Sequence, residues 1–88
     1  MNFGEALNCV KNGEKIARKN WNGKNQYVFL VQAKDLMDTV AKYIDTPVMI
    51  TSVLAIKTTS NQVQVGWLAT QSDMLSDDWY VVGGEEEC

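Results

Sequence analysis

The chain has 88 residues, a formal net charge of −3 and 45% hydrophobic residues. That length suits one small domain, and the acidic balance argues against non-specific binding to DNA, RNA or an anionic membrane, each of which needs a basic surface. Histidine is absent, so Ser-His-Asp and Cys-His catalysis are excluded and a zinc site loses its commonest ligand. We therefore expect a protein that is not an enzyme and that holds neither a metal nor a cofactor.

The sequence shows neither a targeting signal nor a recognisable cysteine pair. The N-terminus is polar rather than a basic head followed by an apolar run, and no segment approaches the ~20 apolar residues of a membrane span. We expect a soluble intracellular protein. Cys9 and Cys88 form neither a disulfide framework nor a metal-ligand spacing. We therefore interpret Cys9 as a small residue of the first helix and Cys88 as a free thiol in the tail.

The first predicted element is a helix over about residues 3–12. Asn2 is a suitable cap with Glu5 three residues later, and Gly13 follows the last helical residue. One apolar face recurs at helical spacing, which favours packing on a sheet; it consists of Phe3, Ala6, Leu7 and Val10.

Two strands and a second helix should follow. Residues 14–18 predict a short strand, and Tyr27–Val31 is a continuous aromatic and β-branched run typical of a central strand. Such a strand is buried on both faces, or has one face in the core and the other in a subunit contact. From Asp35 the apolar residues recur at helical spacing as far as Ile44, with Pro47 just beyond, which predicts a second helix or a mobile helical insert.

The last part of the chain reads as strands and a short helix. Residues 48–56 supply one or two strands, and a polar turn at 58–61 leads into an antiparallel strand over 62–67 whose alternation is typical of a half-buried strand. Residues 79–82 form the final strand. The predicted fold is α+β, an antiparallel sheet of about four or five strands with the N-terminal helix packed on it, a short second helix and a homo-oligomeric assembly. Residues 1–82 form the single ligand-binding domain, and 83–88 form a flexible acidic tail.

A turn carrying a tryptophan among cations is the first candidate site. Trp21 precedes the turn signal Asn22-Gly23, and Arg18, Lys19 and Lys24 lie around it. An aromatic ring beside cations suits a nucleobase and its phosphates. The plainer alternative is a hairpin tip with solvated lysines.

A capped turn between two tryptophans is the second candidate site. Thr70 and Asp73 have the spacing of a capping box and lie between Trp67 and Trp79. The first N–H groups of the short helix that begins there suit a phosphate or a carboxylate, unless Asp73 already uses them. The plainer alternative is an ordinary capped turn with two core tryptophans.

Three segments together resemble a known family. They are residues 1–7 (MNFGEAL), 18–24 (RKNWNGK) and 66–79 (GWLATQSDMLSDDW), in order along nearly the whole chain, with the middle third unmatched. They resemble a family of small phage and prophage proteins, long a domain of unknown function and now known as a Thoeris anti-defence family. Its members sequester the cyclic ADP-ribose isomer that the bacterial Thoeris system uses as an alarm signal.

The resemblance implies a function and a set of site residues. The chain should bind the glycosidically linked cyclic ADP-ribose signal in the cytoplasm of the infected bacterial host and hold it intact, as a homotetramer with pockets between protomers. The implied ligand contacts are Trp21 or Trp67 as the stacking plate, Asn22 and Lys24 as polar contacts, backbone N–H groups from Thr70 to Ser72 for the pyrophosphate and Asp73 for ribose hydroxyls. Arg18 belongs either to the site or to a subunit ion pair.

Two further assignments come from the residues themselves. Trp79 belongs to the core because it begins a strand with Val81 in phase, and Tyr27 could meet an acidic ligand.

Three alternatives remain open at this point. A sponge could take cyclic di- or trinucleotides from another defence system. An enzyme could cleave the signal with Asp73 or Asp77. The adjacent carboxylates Asp77 and Asp78 do not favour this alternative, because neighbouring side chains of an extended segment point in different directions. A protein–protein inhibitor could dock an effector through its aromatic surface.

Overall fold

The computed structural model describes residues 1–21, 25–84 and 88. Helices and strands follow the order α1 (Phe3–Lys11), β1 (Ile16–Arg18), β2 (Tyr27–Val31), α2 (Ala33–Ala41), β3 (Val53–Lys57), β4 (Val63–Val65), α3 (Gln71–Leu75) and β5 (Trp79–Val81). The five strands form one sheet of order β4-β3-β2-β1-β5, in which every neighbouring pair is antiparallel. The predicted α+β fold is confirmed.

Helix α1 packs on the sheet through the face that the sequence predicts. Its capping box is present: the Asn2 side chain accepts from the Glu5 N–H at 2.8 Å, and the Glu5 carboxylate accepts from the Asn2 N–H at 3.0 Å. Ala6 and Val10 are fully buried. They join a core cluster made of Cys9, Ile16, Val28, Ile56, Trp79 and Val81.

Strand register divides the sheet into two faces. Val28 lies opposite Ile16 and Ile56, so these residues share the α1 face. The other face carries Tyr27, Phe29, Val31 and Val53 as half-buried residues, together with Val63 and Val65, which are 57% and 56% exposed. Strand β2 is therefore central but not buried on both faces.

Several predicted bounds need correction. Strand β1 begins at Ile16 rather than at residue 14, residues 48–50 form no strand, and α2 begins at Ala33 because Gln32 is already its extended N-cap. No residue of α2 is buried. The half-buried pattern expected for β4 is wrong, since all three of its residues are exposed at the edge of the sheet.

The expected free thiol at the C-terminus is also wrong. Cys88 forms a disulfide with Cys9, which is 2% exposed within α1. The bond joins residues 79 positions apart, a spacing that carries no local sequence signal. It attaches the last residue of the chain to the core that the first helix helps to form.

Candidate functional site

Arg18 holds two carboxylates at the end of β1. Its Nη1 lies 2.8 Å from Asp73 Oδ1 and its Nε lies 2.9 Å from Asp78 Oδ1. The Arg18 side chain is 13% exposed, so these ion pairs are largely shielded from solvent. Both partners come from the C-terminal part of the chain, so Arg18 fixes α3 and the start of β5 against β1. Within the described residues, Arg18 therefore makes intrachain ion pairs, and its assignment to the site or to a subunit ion pair stays a prediction.

Asp73 is the centre of this hydrogen-bond network. Its Oδ1 accepts from the Trp21 indole N–H at 3.2 Å as well as from Arg18, and its Oδ2 accepts from the Thr70 N–H at 3.0 Å. The Asp73 N–H donates to Thr70 Oγ1 at 3.1 Å, which completes the predicted capping box. Asp73 is 7% exposed, and the protein supplies hydrogen-bond donors to both of its carboxylate oxygens.

The network keeps its acidic members ionised. Burial alone would raise the pKa of Asp73, but hydrogen bonds from Arg18, from the Thr70 backbone and from Trp21 outweigh it, so the pKa lies below the ordinary value. The pKa of Asp78 is lowered in the same way, with burial opposed by Arg18 and by the Asn20 N–H. Hydrogen bonds to Asp73 and Asp78 raise the pKa of Arg18.

Asp78 positions the backbone that leads to Trp21. Its Oδ2 accepts from the Asn20 N–H at 2.9 Å, and its backbone carbonyl accepts from the Lys19 N–H at 3.1 Å. The Trp21 N–H donates in turn to the Arg18 carbonyl at 3.3 Å. The sequence analysis did not assign Asp78 to the site. Asp78 comes close to Arg18 only because Trp79, the next residue, pairs with Arg18 across β1 and β5, and this pairing carries no local sequence signal.

Three tryptophans meet beside these ion pairs. The Trp21 ring centroid lies 6.3 Å from that of Trp67 and 5.3 Å from that of Trp79, both in edge-to-face geometry. Trp79 is 1% exposed and its indole N–H donates to the Asp73 carbonyl at 2.8 Å, which confirms it as a core residue. Trp21 and Trp67 are half-buried. We call the solvent-facing surface of Trp21 and Trp67 the tryptophan wall.

The structure brings together five of the nine predicted ligand residues: Arg18, Trp21, Trp67, Thr70 and Asp73. Ser72 is exposed on α3. Tyr27 lies on the face of the sheet away from α1, where Lys15 Nζ and Lys57 Nζ are 4.9 Å and 5.5 Å from its ring centroid. Asn22 and Lys24 lie outside the described residues.

Residues 1–21, 25–84 and 88 contain no group of three or more acidic or cysteine side chains placed to hold a metal ion. None of the helices in this part of the chain has the length and apolar character needed to cross a membrane.

Comparison with known proteins decides the family. The model of the Tad2-like family, described as a Thoeris anti-defense 2-like domain, matches residues 1–82. The chain belongs to this family. A protein named Thoeris anti-defense 2, from Bacillus phage SP01, is 38% identical over 86 residues, a stretch that covers 93% of this chain and 94% of that protein. The three segments that suggested the resemblance lie within the matched region, and membership of the Thoeris anti-defense 2-like family gives the chain an anti-defence role.

Proposed function

We propose that the chain binds the glycosidically linked cyclic ADP-ribose signal of the Thoeris system and sequesters it without cleaving it. The observation that carries this proposal is the tryptophan wall, an aromatic surface whose orientation is fixed by a buried ion-pair network. Family membership supports the anti-defence role, and the wall supplies the surface on which an adenine would stack.

In this proposal the rings of Trp21 and Trp67 bind the adenine by stacking. A stacking ring contributes most when it does not have to be ordered on binding. The hydrogen bond from Trp21 to Asp73 and the edge-to-face contacts of Trp67 with Trp21 and Trp79 hold both rings in place before the ligand arrives.

Asp73 serves as a positioning residue in this proposal. Its oxygens accept hydrogen bonds from Arg18, Trp21 and Thr70, so its contribution is the orientation of the wall rather than the contact with ribose hydroxyls first expected of it. The capping box uses the N–H groups of Thr70 and Asp73 but not those of Gln71 and Ser72. We therefore assign the pyrophosphate contacts to the Gln71 and Ser72 N–H groups, with Asn22 and Lys24 of the matched tryptophan segment as further polar contacts.

The ion pairs of Asp73 and Asp78 support retention of the ligand without cleavage. A general acid or base needs an oxygen that can reach the substrate. Arg18 binds Asp73 and Asp78 at 2.8 Å and 2.9 Å and keeps both ionised, which supports a binding protein over a hydrolase.

Enclosure of the ligand favours a homo-oligomer, and we propose a tetramer with shared pockets. A sponge that competes with the Thoeris effector needs about nanomolar affinity, about −12 kcal/mol. A ligand of dinucleotide size reaches that value when nearly all its surface is covered, which a second protomer would accomplish. The place of action is the cytoplasm of the infected bacterial host, where the signal is made.

The test is titration calorimetry with the glycosidically linked cyclic ADP-ribose, followed by denaturation of the complex and chromatography of the released nucleotide. Tight binding with the nucleotide recovered intact supports the sponge. Recovery of a linear product would make the chain an enzyme, and absence of binding would overturn the assignment of the ligand. A parallel titration with cyclic dinucleotides and trinucleotides identifies the ligand class in that case.

A further inference from the structure

The outer edge of β4 directs backbone hydrogen-bonding groups away from the sheet. β4 is the terminal strand of the sheet, next to β3. The Gln62 carbonyl accepts from the Thr58 N–H at 2.8 Å, and the Gly66 N–H donates to the Leu54 carbonyl at 2.9 Å, so the backbone groups of even-numbered residues point toward β3. The backbone N–H and C=O groups of successive residues in a strand point to opposite sides of it. Val63 and Val65 therefore direct these groups away from the sheet.

This edge lacks the charges and prolines that often keep edge strands apart. Natural sheets protect their edges with lysines, prolines, inward charges or very short strands, and of these β4 has only its length of three residues. Residues 58–72 contain no charged residue and no proline, although 22% of the whole chain is charged. Val63 and Val65 are 57% and 56% exposed on the face of the sheet away from α1, and Leu68 just beyond is 89% exposed.

The opposite edge of the sheet is covered at Trp79 by the N-terminus. Trp79 of β5 donates its N–H to the Met1 carbonyl at 3.1 Å, and its own carbonyl accepts from the Met1 nitrogen at 2.8 Å. Part of the β5 edge is therefore occupied by the chain itself, whereas among the described residues no strand pairs with the outer edge of β4.

We propose that β4 pairs antiparallel with β4 of a second copy of this chain, about a two-fold axis at Gln64. In this register Val63 lies opposite Val65 of the partner subunit and exchanges both backbone hydrogen bonds with it, so all four outward groups of each strand are satisfied. Gln64 faces its own counterpart. An isologous interface requires this kind of self-complementarity, and a charged partner would find no counter-charge on residues 58–72.

The pairing also brings a second copy of the chain close to the tryptophan wall. β4 ends at Val65, two residues before Trp67, so a partner strand on the outer edge of β4 lies beside the segment that leads to Trp67. A three-residue ladder buries less than the ~1,200 Å² of a stable interface. The interface would therefore extend to the uncharged flanks of β4, where Leu68 is 89% exposed. This inference specifies one interface of the oligomer proposed above, and its role in ligand binding rests on that proposed function. The mass measurement below tests the pairing alone, and the calorimetric titration tests ligand binding alone, so either can fail without the other.

Paired charge variants test the interface by light scattering. The V63K/V65K variant places lysines opposite lysines, and we expect half the wild-type mass. The V63E/V65K variant places glutamate opposite lysine in the same register, and we expect the wild-type mass. Circular dichroism checks that both remain folded, as expected for exposed positions. A wild-type monomer, or a V63K/V65K variant of unchanged mass, overturns the pairing, and loss of mass in the V63E/V65K variant overturns the register.

Cysteine cross-linking tests the axis independently. Facing residues of a non-hydrogen-bonded antiparallel pair have Cα atoms about 4.5 Å apart, within the range of a disulfide. In a Cys9→Ala/Cys88→Ala background, Gln64→Cys should give a covalent dimer with oxidised glutathione. Val63→Cys is the matched control, because its two copies would lie about 7–8 Å apart on the diagonal. Equal cross-linking of the two variants, or none at Gln64→Cys, contradicts the proposal.

Discussion

The indole N–H of Trp21 donates to the carboxylate of Asp73 at 3.2 Å, although 52 positions separate the two residues in the sequence. The bond makes the orientation of the half-buried Trp21 ring depend on a buried acid. The proposed ligand binding and the stability of the fold should therefore be linked, and the variants below separate them.

Asp73→Asn should weaken both stability and ligand binding. The neutral amide retains one acceptor oxygen where the carboxylate serves Arg18, Trp21 and Thr70. We expect a loss of about 1.5–3 kcal/mol in the free energy of unfolding, the usual contribution of charge-assisted hydrogen bonds. Denaturant unfolding measures it. Asp38→Asn, at an exposed position of α2, removes the same charge and should leave both properties unchanged.

Trp67→Ala should reduce binding while the fold survives. Loss of a stacking ring costs about 1–3 kcal/mol of binding free energy. Trp79→Ala should instead unfold much of the population, because deleting a fully buried tryptophan costs about 3–5 kcal/mol. Calorimetry and thermal unfolding of the two variants distinguish the roles, and Trp21→Ala provides a second test of the wall. Normal binding by both Trp21→Ala and Trp67→Ala would contradict the stacking assignment.

Arg18→Lys should destabilise the chain although the charge is kept. The guanidinium uses Nη1 for Asp73 and Nε for Asp78, and a single ammonium cannot reproduce that fork. We expect a lower unfolding midpoint and weaker binding, because Asn20 and Trp21 lose their fixed positions. A variant that matches the wild type in both measurements would show that only the charge matters.

Stability should fall on the acid side because of Asp73 and Asp78. Both have a pKa below the ordinary carboxyl value when folded, so their contribution is complete above the unfolded pKa of about 3.9. The contribution is lost as the pH falls through the lower folded values. Thermal unfolding from pH 7 to pH 2 should show this loss, and Asp73→Asn should show a smaller one. If the wild type and Asp73→Asn lose the same stability between pH 7 and pH 2, Asp73 does not contribute to the acid-dependent loss.

Reduction of the disulfide should lower stability. Closing a loop of 79 residues stabilises a protein by about 4–5 kcal/mol in the chain-entropy account, and measured values commonly reach about 2–4 kcal/mol. Wild type with dithiothreitol should therefore unfold at a lower temperature than the oxidised protein. Cys88→Ser should match the reduced protein and should not respond to dithiothreitol. Equal midpoints in all four samples would contradict a stabilising bond.

Local signals predicted much of the fold. The capping boxes of Asn2 with Glu5 and of Thr70 with Asp73 lie within four residues of sequence, and both are present. The β3–β4 hairpin also follows from a turn that the sequence marks, with Asn61 at a positive φ of 64°.

The parts that were missed depend on distant pairing. Arg18 meets Asp78 only because β1 and β5 are neighbours in the sheet, and Cys9 reaches Cys88 only at the end of the chain. Val63 and Val65 alternate like half-buried residues, but alternation does not reveal that β4 ends the sheet. Tyr27 was placed at the site by residue type, although the register puts it on the face away from α1.

The neighbouring positions of β1 and β5 have a consequence for synthesis of the protein. Arg18 and Trp21 are translated at least 52 positions before Asp73, Asp78 and Trp79, the residues that fix them in place. The aromatic surface therefore cannot assemble until Trp79 has left the ribosome. A chain truncated before residue 79 should lack the proposed binding surface.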